Sequence, residues 1–169
     1  MGAKMEEKTL IENGNVIDGT GSNIKKESIL IEKSNILATG READELGSGN
    51  DVRKVDASGK TVMPGLIDSH CHITFDEPSS NDELFFHRRE GLAAIVAAWN
   101  VRKVLLAGVT GFLDADSLYE TGIDLRDAIN SGYVEGPRMS TGGNALLTSV
   151  GGTAGRLIPD DGLRGYAKV

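Results

Sequence analysis

The sequence lacks the features that mark several classes of protein. It has one cysteine, so no internal disulfide can form. No apolar run is long enough to cross a membrane, and the first residues lack the apolar stretch of a signal peptide. The net charge is −7 without any cluster of Lys and Arg, which argues against nucleic acid or an anionic membrane as a partner. These absences predict a soluble cytoplasmic protein.

Glycine, in contrast, is plentiful: 22 residues, in a chain that is 39% hydrophobic, indicate a globular and turn-rich fold. Residues 8 to about 60 read as short strands separated by turns. Asn13-Gly14 is a hairpin signal, Gly19-Thr20-Gly21 is a second turn, and the polar stretch Glu42–Asn50 is predicted to be a loop. This part is predicted to form a small antiparallel sheet that holds no cluster of catalytic residue types.

The second half changes to an alternation of strands and helices. Apolar residues recur at steps of three and four between Leu84 and Leu105, which predicts one long helix or two short ones with Gly91 as a weak point. The later elements are predicted in chain order as a strand at Val109–Asp114, a helix at Asp124–Asn130, a strand from Gly136, and a helix near Gly162. This order is typical of an α/β fold with a parallel sheet.

His70 and His72 form the most informative motif. Residues i and i+2 of a strand face the same side, about 6–7 Å apart, so both imidazoles can reach one metal ion while Cys71 points the other way as a small core residue. Asp68 shares their face by the same spacing. Histidine at the end of a buried strand is a natural ligand of a divalent transition metal. A bare His-X-His is nevertheless more often incidental than a metal site, so the flanking residues carry the interpretation.

The run from Pro64 through His72 resembles the first barrel strand of the amidohydrolase superfamily, metal-dependent hydrolases built on a (β/α)8 barrel. The opening strands resemble the small β-sandwich that such chains carry. Ala107–Asp114 and Gly136-Pro137-Arg138 narrow the resemblance to the prolidase-like and imidazolonepropionase-like branch. The sequence departs from that branch at Thr153, where a histidine commonly follows the Gly-Gly pair, and this puts the substrate class in question.

The resemblance implies two domains. Residues 1–63 would be strands of an antiparallel β-sandwich, and residues 64–169 would be the first β/α units of the barrel. A complete barrel takes about 250 residues, so the chain has room for roughly three β/α units and corresponds to an N-terminal portion. The fold expected is therefore α/β, the beginning of a TIM-type barrel preceded by a small antiparallel β-sandwich segment.

The resemblance also implies a site. His70 and His72 would bind one ion of a one- or two-metal centre, expected to be Zn²⁺. Asp68, which shares their face, is expected either to support the two histidines without binding the metal or to make a purely structural hydrogen bond. The family's other ligands, which include a lysine that is often carboxylated, fall on later strands outside this chain. Asp114 is placed for either a catalytic or a structural role, whereas His87 and Lys168 are predicted to lie on helix surfaces. No catalytic residue is assigned within the chain.

The function implied is hydrolysis of a C–N bond in an amide, dipeptide, carbamate or cyclic amide. Two alternatives remain open: a deaminase on the same scaffold, and a binding module that has lost the chemistry. The expected partners are a small amide or dipeptide substrate, the C-terminal remainder of the barrel, and a second copy in a homo-oligomer. The chain alone is expected to be inactive.

Overall fold

The computed structural model describes residues 8–76, 78–80 and 83–144 and divides after Pro64 into two compact units. The sequence predictions for Thr153, Lys168 and the helix near Gly162 fall outside the described residues. Within the described ranges, no helix is long and apolar enough to span a membrane.

The first unit is built around one long strand. Its elements in chain order are β1 (Lys8–Val16), β2 (Lys25–Glu32), β3 (Asn35–Thr39), α1 (Arg41–Leu46), β4 (Val52–Asp56) and β5 (Thr61–Val62). The sheet order is β3-β2-β1-β4, and β5 also pairs with β1. Strands β1, β2 and β3 are antiparallel, whereas β4 and β5 run parallel to β1. The predicted antiparallel sheet is thus right for three strands and wrong for two.

The reason for the difference lies at Asn13 and Gly14. These residues do not turn the chain; β1 runs through them, and its register against β2 shifts between Ile11 and Gly14 as in a β-bulge. Asn13 adopts a φ of 65°, and a Cβ on Gly14 would lie 2.6 Å from Val62 Cγ2. The Asn-Gly pair therefore supplies a left-handed residue and a close approach of β5. Because β1 continues, it offers a second edge to β4 and β5.

The predicted loop at Glu42–Asn50 is also wrong, because α1 occupies its first half. Ala43 of this helix is fully buried and packs in one cluster with Leu10, Leu30 and Ala38. A helix of six residues spans less than two turns, which is too short for a periodic pattern to reveal it.

The second unit confirms the predicted α/β alternation. Its elements are β6 (Leu66–Cys71), a single π-helical turn (Glu83–His87), α2 (Glu90–Leu106), β7 (Val109–Asp114), α3 (Thr121–Asn130) and β8 (Arg138–Thr141). Strands β6, β7 and β8 form a parallel sheet in that order. The predicted helical stretch is interrupted at Arg88 and Arg89, so it is not one continuous helix. The predicted weak point is wrong, because Gly91 lies within α2, which is itself 17 residues long. Arg88, which follows the π-helical turn, donates to both carboxylate oxygens of Glu83, with N···O distances of 3.0 Å.

A hydrophobic cluster holds the strands of this unit to its helices. Its buried members are Ile73, Ala97, Val101, Phe112 and Leu125. Cys71 packs against the cluster, in agreement with its predicted role as a small core residue. Burial raises the pKa of the Cys71 thiol, and the nearby carboxylates of Asp68 and Asp114 act in the same direction, so the thiol stays protonated at neutral pH.

Two helix-start glycines make a matched pair for testing this packing. Gly122 is the second residue of α3, and an added Cβ would collide with Ser117 Oγ, Asp114 Oδ2 and Thr141 Oγ1. Gly91 is the second residue of α2, and a Cβ there would meet nothing within 4 Å. We expect Gly122→Ala to lower the free energy of unfolding by about 2 kcal/mol through overpacking. Gly91→Ala should leave it unchanged or raise it by about 0.5 kcal/mol. Urea unfolding of both variants measures this, and equal effects would contradict the packing described.

Candidate metal centre

The two histidines of the motif come together at the carboxyl end of β6. His70 lies within the strand and His72 follows its last residue, Cys71. Their ring centroids are 5.0 Å apart, in an edge-to-face arrangement with an interplanar angle of 79°. The structure therefore brings both imidazoles to one place, which is the condition for binding a shared ion. Their orientation towards a barrel interior stays a prediction.

Strand β6 is irregular at this point, and the irregularity affects Asp68. The register against β7 advances three residues on β6, from Asp68 to Cys71, while it advances two on β7, from Phe112 to Asp114. Strict alternation fails across such a bulge, so spacing alone does not put Asp68 on the face of the imidazoles. Asp68 Oδ1 instead accepts the backbone N–H of His70 at 3.0 Å. Its support of the metal site remains a prediction.

The residues after His72 are held from several elements. Asn100 of α2 donates to the carbonyl of Ile73 at 3.0 Å. Thr74 Oγ1 accepts the N–H of Leu118 at 3.2 Å, and the Thr74 carbonyl accepts Arg88 Nη1 at 3.3 Å. Ile73 and Thr74 are both almost fully buried. The backbone that carries His72 is therefore anchored immediately after the histidine.

Asp114, at the end of β7, is a fully buried hydrogen-bond acceptor. Its Oδ1 accepts the N–H of Ile73 at 3.1 Å. Its Oδ2 accepts the hydroxyl of Thr141 at 2.9 Å and a short hydrogen bond from Ser117 Oγ. The carboxylate thus ties the extension of β6 to the end of β8 and to the loop after β7. This arrangement favours the structural role among the two that the sequence left open for Asp114.

Asp116 is the residue at this site that sequence reasoning missed. Its Oδ1 lies 3.0 Å from Nδ1 of His72, and the His72 ring stacks on Phe75 with centroids 5.1 Å apart and planes 6° from parallel. The one sequence signal was the pair Asp114-Ala-Asp116 at the end of a strand, because ends of neighbouring parallel strands meet at one edge of a sheet.

The remaining histidine, His87, lies exposed on the π-helical turn, in agreement with its predicted place on a helix surface. In the part of the chain that the structure describes, no three His, Cys, Asp or Glu side chains form a group that could hold a metal by itself. A catalytic zinc site usually has three protein ligands and an open position. The donor set of His70 and His72 therefore fits two ligands of such a site and requires others.

Three parallel strands joined by helices, with two histidines at the end of the first of these strands, define an α/β protein whose candidate site lies at the strand ends. No family model matches the sequence. The ochratoxinase of Aspergillus niger is 30% identical over 153 residues, covering 85% of this chain and 29% of that protein. The dihydroorotase of Carboxydothermus hydrogenoformans is 40% identical over 64 residues, covering 38% of this chain and 14% of that protein.

Two solved structures agree in fold. A Xaa-Pro dipeptidase with methionine bound in its active site matches with a TM-score of 0.72 and 31% identity, over 86% of this chain and 35% of that protein. The A. niger ochratoxinase structure matches with a TM-score of 0.73 and 25% identity, over 95% of this chain and 36% of that protein. The chain belongs to the amidohydrolase superfamily and corresponds to an N-terminal portion of it. It spans less than two fifths of each of these relatives.

Replacing Asp114 tests its place in the structure. Asp114→Ala leaves the N–H of Ile73 and the hydroxyls of Ser117 and Thr141 without their acceptor in a buried setting. We expect the free energy of unfolding to fall by about 3 kcal/mol, measured by urea titration. Glu135→Ala, at an exposed loop position, is the control and should change stability by less than about 0.5 kcal/mol. A loss below about 1 kcal/mol in Asp114→Ala would show that the carboxylate is not a main support.

Proposed function

We propose that this chain carries the first two metal ligands of a hydrolase that cleaves a C–N bond in an amide, dipeptide, carbamate or cyclic amide. The observation that carries the proposal is the pair His70 and His72, whose rings lie 5.0 Å apart at the end of a parallel strand. Membership of the amidohydrolase superfamily supports it. Zn²⁺ is the metal proposed, because imidazole nitrogens suit it and one position of a catalytic site stays open for reaction.

The chemistry follows from the donors. When bound, a divalent cation supplies a Lewis acid that polarises a carbonyl and makes water a stronger nucleophile at neutral pH. His70 and His72 would hold it, and the anchored backbone after His72 would keep that imidazole in place. Asp114 would hold the ends of the strands together through its hydrogen bonds rather than contact substrate. The remaining ligands, including a carboxylated lysine, are proposed to come from later strands of the whole protein.

Exposed apolar side chains support the proposal that a further segment completes the site. Ile67 of β6 is 76% exposed. On α2, Ile95 is 69% exposed and Trp99 is 61% exposed. Strand β6 also lies at one edge of the described sheet. Large apolar residues and an open strand edge are usually covered in a folded protein. We propose that the C-terminal part of the barrel covers them.

The three histidines provide a controlled test of the ligands. In the whole protein that carries this chain, His70→Ala and His72→Ala should each lower Zn²⁺ content and reduce hydrolysis of a dipeptide or N-acyl amino acid by more than about a hundredfold. His87→Ala removes the third histidine, which lies exposed on the π-helical turn, and should leave both zinc content and hydrolysis unchanged. Metal content by atomic emission and a ninhydrin assay provide the readouts. Full zinc content in either of the first two variants would contradict the assignment.

The isolated chain should not carry out the reaction. The purified 169-residue polypeptide is expected to show no turnover of dipeptides or N-acyl amino acids, because two imidazoles do not complete a catalytic zinc site. Intact-mass measurement of the active protein should give a value well above the 17.9 kDa of this chain. Turnover at enzyme-like rates by a monomer of this mass would overturn the proposal.

A further inference from the structure

We propose that Asp116 is a positioning residue that holds Nδ1–H of His72 and thereby leaves Nε2 as the nitrogen that binds the metal. The part of this inference that concerns metal binding rests on the proposed function. The part that concerns the orientation and tautomer of the His72 ring depends only on contacts within this chain.

A hydrogen bond joins the His72 ring to the Asp116 carboxylate. His72 Nδ1 and Asp116 Oδ1 are 3.0 Å apart, and both side chains are about two thirds buried, with exposures of 32% and 35%. An ionised carboxylate can only accept, so Nδ1 must donate. In a neutral imidazole the other nitrogen, Nε2, then carries no proton, and its lone pair can coordinate a metal ion. A carboxylate behind a metal-binding histidine also raises the basicity of the ligand.

This hydrogen bond acts on a ring whose plane is already set, so that only a flip of the ring within that plane remains open. Phe75 stacks on the His72 ring with planes 6° from parallel, which sets the plane of the imidazole. The backbone just after it is held by Asp114 and Asn100 through Ile73. Stacking does not distinguish the ring from its flipped form, in which Nδ1 and a carbon change places. The Asp116 carboxylate distinguishes them, because only one form places a donor against it.

Asp116 is itself held in place by the backbone on either side of it. The N–H of Ala115 donates to the Cys71 carbonyl at 2.8 Å, and the N–H of Ser117 donates to the Gly143 carbonyl at 2.9 Å. Both neighbours of Asp116 are thus fixed by backbone bonds, one to the end of β6 and one to the segment after β8. A carboxylate on such a turn can orient a ring 44 residues away in sequence.

The test uses Asp116→Asn, which keeps an oxygen acceptor, and Asp116→Ala, which removes it. Glu135→Gln, at an exposed loop position, is the control for loss of one negative charge. Two-bond ¹H–¹⁵N correlations of the His72 ring report the tautomer. They are recorded on the whole protein, free of metal, in mildly alkaline buffer. Competition with a chromophoric chelator gives the affinity of the whole protein for Zn²⁺ alone.

We expect the Nδ1–H form in the wild type, in Asp116→Asn and in Glu135→Gln, and its loss in Asp116→Ala. Zinc affinity should fall about tenfold in Asp116→Ala and be largely restored in Asp116→Asn. A wild-type spectrum of the Nε2–H form overturns the proposal, as does Asp116→Ala with an unchanged tautomer and unchanged zinc affinity. If no variant binds zinc but the tautomer follows the expected order, the ring positioning stands and the proposed function fails.

Discussion

The buried carboxylate of Asp114 is the interaction on which the arrangement at the strand ends depends. A polar group removed from water must be satisfied by hydrogen bonds, and here the donors come from three different segments. The N–H of Ile73 extends β6, the hydroxyl of Thr141 ends β8, and Ser117 lies in the loop after β7. Gly122 follows from the same constraint, since any side chain at that position would collide with the cluster. The parallel sheet is therefore tied together by one side chain at the end where its candidate site lies.

The same tie determines how the metal-ligand candidates are presented. His72 is one residue before Ile73, so the backbone bond to Asp114 fixes the base from which the imidazole projects. Phe75 and Asp116 then define the plane and the orientation of the ring. The candidate ligand His72 is thus oriented largely by the end of β7 and the loop that follows it, and less by its own strand. Such an arrangement would order the imidazole before an ion binds, which would reduce the entropic cost of binding.

The parts of this structure that could be predicted are those with a local signal. The proximity of His70 and His72 agrees with their two-residue spacing, although the bulge in β6 breaks regular alternation at this point. Strand β7 follows from a short apolar run that ends at Asp114. The contact between His72 and Asp116 joins residues 44 apart, which spacing along one strand does not encode. The hairpin turn predicted at Asn13-Gly14 is wrong because a bulge and a hairpin use the same residue types in the left-handed conformation. The parallel pairing of β4 and β5 with β1 depends on the edges that β1 leaves open, a property of the assembled sheet.

We propose that His70 and His72 hold a metal ion at the end of β6. Anomalous diffraction at the zinc absorption edge, from crystals of the whole protein grown with Zn²⁺, tests it most directly. We expect an anomalous peak about 2.0–2.1 Å from a ring nitrogen of each of the two histidines, with Nε2 as that nitrogen in His72. A peak elsewhere, or no peak in a protein that hydrolyses an amide at normal rates, would contradict it.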